Sequence, residues 1–227
     1  MTRAVFFDAA GTLFQLRRSV GWHYRDVALR HGADLAEDEL NRAFRRAWKN
    51  AEAPHETDGA RPDDDRAWWR ALIESVLDEC GGTSGLDRDA YFSELWSEFT
   101  RPGVWELFPE TLDVLAALKG RVRLAVVSNF DSRLRAILAH LGIAEFFDDI
   151  VISSEVGADK PSRKIFSAAL ARAGIHASDA LHVGDHPEAD WLGAERAGLR
   201  AFRLQRPENS LCGVLDVFQL SGGGAAK

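Results

Sequence analysis

Four short apolar runs constrain this chain most, because each stops at residues able to do chemistry. Ala4-Val5-Phe6-Phe7 ends at Asp8, and Arg123-Leu124-Ala125-Val126-Val127 ends at Ser128 and Asn129. Ile150-Val151-Ile152 ends at Ser153 and Ser154, and Ala180-Leu181-His182-Val183 ends at Gly184 and Asp185. A fifth, weaker run covers residues 200–204. Continuous apolar runs of this length predict strands covered on both faces. Between them, residues 110–119, 132–141, 162–173 and 188–197 carry helical patterns, with Gly142, Gly174 and Gly198 just past three of these. Glycine commonly ends a helix because it adopts the left-handed backbone without penalty. Strands and helices alternating with short links predict right-handed βαβ units, hence an α/β fold with a doubly wound parallel sheet.

Residues 16–104 break the alternation. They hold no convincing strand, and helical patterns dominate over 20–31, 36–51, 64–79 and 87–100. Six of the seven tryptophans, at 22, 48, 68, 69, 96 and 105, fall in or beside this block and are read as its own core. Asp63-Asp64-Asp65 is read as a helix start with a solvated face. The predicted organisation is a core of residues 1–15 and 105–220, a helical insert at 16–104, and a flexible tail at 221–227.

Composition bounds the partners. With 227 residues, 46% hydrophobic and 28% charged, the chain is globular. A chain this long buries roughly 70% of its unfolded surface and needs no disulfide or structural metal. Cys80 and Cys212 are read as free thiols. The net charge of −7 argues against a nucleic-acid partner. No apolar run approaches the ~18 residues of a membrane span, and the first residues do not read as a signal peptide. The expectation is a cytoplasmic protein with neither a nucleic-acid nor a membrane partner.

In an open parallel sheet, ligands bind outside the carboxyl ends of the strands. There the sequence places Asp8, Ser128, Asn129 and Asp185, with Asp190 just beyond. Lys160, one of only five lysines among 28 basic residues, lies in the loop after the third strand. Carboxylates gathered at one rim repel, so they need a cation, and oxygen ligands favour Mg²⁺. Such a cation together with Lys160 makes a positive pocket for a dianion such as phosphate. Ser128 and the amides after Asp8 can donate hydrogen bonds to the same oxygens, and Asp8 can attack in line.

These residues sit in four ordered motifs: Phe7-Asp8-Ala9-Ala10-Gly11-Thr12-Leu13; Val127-Ser128-Asn129; Gly157-Ala158-Asp159-Lys160-Pro161-Ser162-Arg163-Lys164-Ile165-Phe166; and Val183-Gly184-Asp185-His186-Pro187-Glu188-Ala189-Asp190. The set resembles the haloacid dehalogenase-like (HAD) hydrolase superfamily over nearly the whole chain. The resemblance implies a Rossmann-like core with an inserted helical (C1-type) cap that closes over the site and selects substrate. It implies Asp8 as nucleophile and metal ligand, the Ala10 carbonyl and Asp185 as further ligands, and Asp190 as a direct or water-mediated one. Ser128 and Lys160 would hold the transferring phosphoryl group, supported by Thr12 and Asn129. The implied cofactor is Mg²⁺ and the implied substrate a small phosphorylated metabolite.

One position departs from the pattern. Where the family's phosphatases usually carry an aspartate that protonates the leaving oxygen, this chain has Ala10. General acid–base help is worth about 10²–10⁴-fold, so alkyl phosphates should react slowly and aryl or acyl phosphates less so. Alternatives are a 2-haloacid dehalogenase-type enzyme, a phosphonoacetaldehyde hydrolase-type enzyme, and a non-catalytic binding protein. The paired Asp185 and Asp190 and the lack of an evident halide-binding arginine speak against the first. Against the second, Lys49 is the only lysine of the insert and its surroundings do not match that branch. Against the third, folding does not require three converging carboxylates. His186 is the leading substitute for the missing acid, ahead of His23, His31 and His55.

Overall fold

In the computed structural model of this chain, which describes residues 2–222, each of the five apolar runs forms a strand. β1 (Ala4–Phe7) and β2 (Phe14–Leu16) lead into α1 (Val20–Arg30), α2 (Glu37–Asn50), α3 (Arg66–Glu79) and α4 (Arg88–Glu98). The chain returns through β3 (Trp105–Leu107), α5 (Thr111–Leu118), β4 (Arg123–Ser128), α6 (Arg133–His140), β5 (Asp149–Ile152), α7 (Ser153–Val156) and α8 (Arg163–Ala173). It closes with β6 (Ala180–Gly184), a π-helical turn at Pro187–Leu192, α9 (Gly193–Arg196), β7 (Arg200–Arg203) and α10 (Cys212–Gly222). Of the stretch expected as a flexible tail, Ser221 and Gly222 end α10, and residues 223–227 lie outside the described residues.

The chain divides into two compact units. The first holds residues up to 15, residues 55–61, and residues from 106 on; the second holds 16–54 and 62–105. Residues 55–61, placed by the sequence in the helical insert, thus cluster with the sheet. Four backbone and side-chain bonds to the segment after β5 hold them there.

The first unit is built on a parallel five-stranded sheet in the order β5-β4-β1-β6-β7. All four residues of β1 are buried, as a central strand covered on both faces requires. One face packs Phe6, Val127 and Val151 against Ile165, Phe166 and Ala169 of α8. α8 starts where the Ser162 hydroxyl accepts from Lys164 N and stops at Gly174 in the left-handed conformation. The register sets Phe7 opposite Val126 on one side and Val183 on the other. Asp8, Ser128 and Asp185 therefore leave the sheet within two residues of aligned positions. The chain winds from β1 outward to β5, then returns to β6 on the other side, so β1 stands at the switch point where such sheets bind ligands.

Three local features differ from the sequence expectation. β2 and β3 form a separate two-stranded ribbon of three-residue strands, too short for periodicity to reveal. The helix expected at 188–197 splits into the π-helical turn and α9; the wider turn carries Asp190, which is buried. α3 begins at Arg66, because Asp64 and Asp65 both adopt positive φ and cannot join a right-handed helix.

The second unit packs its four helices around Tyr24, Val27, Leu40, Val76, Leu77, Tyr91 and Leu95. Trp68, Trp69 and Trp96 are partly buried against this core. Trp48 stacks on Phe44 but keeps 52% of its surface exposed, and Trp22 is also exposed, so these two are not core residues. Within the core His23 lies 3.2 Å from Glu98 Oε1, and Glu98 also accepts from Arg30 and Arg101. Burial holds the His23 pKa below its ordinary 6.5, against the opposing pull of Glu98 and Asp26. Below pH 6.5 the unfolded chain therefore takes up a proton that the folded chain refuses. The stability this contributes is complete above that pH and falls away as pH drops through the folded-state value. Tryptophan fluorescence, with six of seven tryptophans in this unit, should report a denaturation midpoint that falls from pH 7 to 5. His23→Gln should flatten that slope; an unchanged slope would show that another group sets it.

Candidate active site

The carboxyl ends of β1, β4 and β6 bring together the residues the sequence singled out. Ser128 Oγ donates to Asp8 Oδ1 at 2.9 Å, and Lys160 Nζ donates to the same oxygen at 2.6 Å. Lys160 Nζ also donates to Asp190 Oδ1 at 2.6 Å. Asp8, Ser128, Lys160 and Asp190 are all buried. One oxygen each from Asp8, Asp185 and Asp190 lie within 4.8 Å of one another. Thr12 Oγ1 donates to Asp185 Oδ1 at 3.4 Å.

Two glycines make this convergence possible. Gly11, at φ +87°, leaves room for the Asp185 carboxylate, whose Oδ2 would lie 2.6 Å from a Cβ there. A Cβ on Gly184 would stand 2.2 Å from Asp190 Cγ. No side chain fits at either place without displacing an acid.

Asn129, which the resemblance implies in a supporting part beside Ser128 and Lys160, bonds the backbone of Lys160. Its amide donates to the Lys160 carbonyl at 2.9 Å and its oxygen accepts from Lys160 N at 2.6 Å, so it braces the backbone that carries the lysine. Both oxygens of Asp190 have partners: Oδ1 receives Lys160 Nζ and His182 Nε2, and Oδ2 receives His186 N. These contacts place Asp190 so that it orients Lys160. His186 is exposed, and its Nδ1 accepts from Glu188 N and Ala189 N, capping the π-helical turn. That fixes the ring proton on Nε2. Lys49 is exposed on α2.

The sequence reading passed over His182. It lies fully buried in β6, with Nε2 2.8 Å from Asp190 Oδ1 and no partner for Nδ1. A carboxylate only accepts, so Nε2 carries the hydrogen. Burial holds the imidazole neutral by lowering its pKa, against the pull of Asp190. A histidine inside an otherwise apolar strand, eight residues before an acid of the fourth motif, was the available signal.

The electrostatics show what the site lacks. Burial opposes the Lys160 ammonium, but Asp8 and Asp190 outweigh it and raise its pKa. Burial also opposes the Asp190 anion, yet Lys160 and His182 hold its pKa well below the usual range. Asp185 is raised, first by burial and then by the charges of Asp8 and Asp190. Asp8 is raised by burial, partly offset by Lys160. Three carboxylates face one ammonium, leaving an excess of two negative charges. Among the described residues no hydrogen bond ends on the Ala10 carbonyl, which stands two residues from Asp8. An all-oxygen, doubly negative donor set fits a small divalent cation such as Mg²⁺.

A parallel sheet flanked by helices, with a lysine-paired carboxylate and two further acids at its switch point, defines a Rossmann-like α/β protein with a ligand site at the carboxyl ends of its strands. The chain belongs to the haloacid dehalogenase-like hydrolase family, whose model matches residues 2–198. It is 35% identical over 208 residues to haloacid dehalogenase-like hydrolase domain-containing protein 3 of Danio rerio, covering 91% of this chain and 86% of that protein. Glyceraldehyde 3-phosphate phosphatase of Methanopyrus kandleri is 38% identical over 101 residues, covering 44% of this chain and 43% of that one. Among solved structures, a defluorinating L-2-haloacid dehalogenase shares the fold at TM-score 0.73 and 21% identity, over 91% of this chain and 82% of that one. A HAD phosphatase from Thermococcus onnurineus does so at TM-score 0.69 and 21% identity, over 96% and 98%. No helix among the described residues is long and apolar enough to cross a membrane.

Proposed function

We propose that this hydrolase is a Mg²⁺-dependent phosphatase acting on a small phosphorylated metabolite through an aspartyl-phosphate on Asp8. The observation that carries the reading is the pairing of Asp8 Oδ1 with Lys160 Nζ and Ser128 Oγ beside two further carboxylates. The partial match to a relative named as a phosphatase supports it.

Asp8, the Ala10 carbonyl and Asp185 would hold the cation, with Asp190 beside them. When bound, magnesium supplies the positive charge that lets an anionic nucleophile approach an anionic ester. Lys160 and Ser128 orient Asp8 and donate to the phosphoryl oxygens as charge shifts onto them. An Asp8 carboxylate oxygen attacks phosphorus, and the bond to the leaving oxygen breaks, that oxygen keeping the electron pair. Water then attacks the same phosphorus, the bond to Asp8 breaks, and inorganic phosphate leaves. Buried Asp190 holds Lys160 in place through both half-reactions.

The test is turnover of p-nitrophenyl phosphate with Mg²⁺, lost in EDTA. Mg²⁺-independent halide release from 2-haloacids, with no phosphate release, would overturn the reading in favour of a dehalogenase. Ala10 sets a further expectation. With no acid at that position, Ala10→Asp should speed hydrolysis of alkyl phosphates by about 10²-fold and of aryl phosphates far less, because a phenolate leaves without protonation. Equal gains on both ester classes would show that leaving-group protonation is not what Ala10 withholds.

A further inference from the structure

Residues 55–61 stand in sequence between α2 and α3 but lie as a strap along the segment that follows β5 and carries Lys160. Thr57 N donates to the Gly157 carbonyl at 2.9 Å, and Arg61 N to the Ser154 carbonyl at 2.7 Å. Lys164 Nζ donates to the Thr57 carbonyl. The approach is backbone on backbone: a Cβ at Gly157, itself at φ +75°, would stand 2.0 Å from the Gly59 carbonyl oxygen.

The strap ends in a buried charge. Arg61 Nη2 donates to Asp159 Oδ2 at 2.9 Å, and Arg61 Nε donates to the His55 carbonyl at 3.3 Å. The two side chains are only 5% and 13% exposed. Docking a strap needs no such pair, since apolar residues of similar volume commonly serve as well or better. What a guanidinium adds is direction: its planar fork fixes both the strap and the carboxylate it grips.

Asp159 is the residue before Lys160. From the other side, Asn129 bonds both the N–H and the carbonyl of Lys160. The lysine's backbone is thus held between Asn129 and the Arg61–Asp159 pair. We infer that Arg61 is a positioning residue: through Asp159 it sets the peptide that carries Lys160, so that the ammonium meets Asp8 and Asp190 together. A displacement of about 1 Å in such a group can cost ~10²-fold in rate. This inference rests on the role given to Lys160 under the proposed function, but its position can be read without turnover.

The experiment compares wild type, Arg61→Met and Arg61→Lys in two measurements on the full chain. One is kcat and KM for p-nitrophenyl phosphate with Mg²⁺. The other is the ¹H–¹⁵N spectrum of the lysine ammonium groups, tractable because the chain has five lysines. Arg61→Met should lower kcat by about 10- to 100-fold with KM within about threefold. It should also shift or broaden the Lys160 ammonium signal while Lys49 and Lys119 stay put. Arg61→Lys, which keeps the charge without the fork, should recover part of both. A folded Arg61→Met with wild-type kcat, or with an unmoved Lys160 signal, overturns the inference. So does a rise in KM alone, which would mean direct substrate contact. If Arg61→Met does not fold, Arg61→Lys against wild type is read by the same criteria. If wild type hydrolyses no phosphate ester, the reading of the reaction fails by itself, and the ammonium spectra still decide the role of Arg61.

Discussion

Asp8→Asn is expected to lower turnover of an aryl phosphate by ~10⁴-fold or more, the scale on which a covalent nucleophile is missed, while the chain stays folded. Asparagine keeps the size of the side chain and an oxygen able to accept from Ser128 and Lys160, so the geometry at β1 should survive. What it loses is the anionic oxygen that forms the bond to phosphorus. Asp190 remains against Lys160, so the ammonium keeps one buried partner. The measurement is kcat with p-nitrophenyl phosphate beside a circular-dichroism melt. Residual turnover within tenfold of wild type would remove Asp8 from the nucleophile's role. A collapsed melt would show that its charge serves the fold instead.

Lys160→Met carries the second large effect, on both rate and stability. The ammonium is the cation among the residues of this cluster, bonded to Asp8 and Asp190, and is itself buried. Removing one partner of a buried ion pair typically costs about 3–5 kcal/mol, and removing a charged donor to the reacting oxygens costs about 10³-fold in rate. The stability loss should depend on pH with a definite sign. Without the ammonium, one of the neighbouring carboxylates keeps its proton in the folded chain, at a pKa above the ordinary 3.8. The folded state then binds more protons than the unfolded state, so the variant's deficit against wild type is largest at pH 7 and shrinks toward pH 5. Urea midpoints of both proteins in EDTA at the two pH values test this. A deficit that does not change with pH would mean that Lys160 contributes packing and not charge.

The strands and the motif residues were legible because each is a local signal. Phe7-Asp8 and Val127-Ser128 show an apolar run and its polar stop within a few neighbours, and a parallel sheet makes every such stop converge. The four helices of the insert were legible from periodicity in the same way. The π-helical turn was not, because Pro187–Leu192 reads as ordinary helix until Asp190 must reach Lys160. Nor was the part played by His182, or the particular partner of Asn129, since their partners lie 8 and 31 residues away. Membership of residues 55–61 in the sheet unit was equally hidden, since it depends on contacts with Ser154, Gly157 and Asp159 about 100 residues on.

By itself the sequence determined the α/β class, the acids at the strand ends, the lysine that offsets them and the vacancy left by Ala10, because composition and short-range pattern are properties of neighbours along the chain. Only the tertiary structure decided which oxygen of Asp190 holds which donor, that Asn129 braces a backbone, and that Arg61 grips the residue before Lys160. Those are matters of distance between segments far apart in sequence, and hydrogen bonds at 2.6–2.9 Å exist only once packing has brought both ends together.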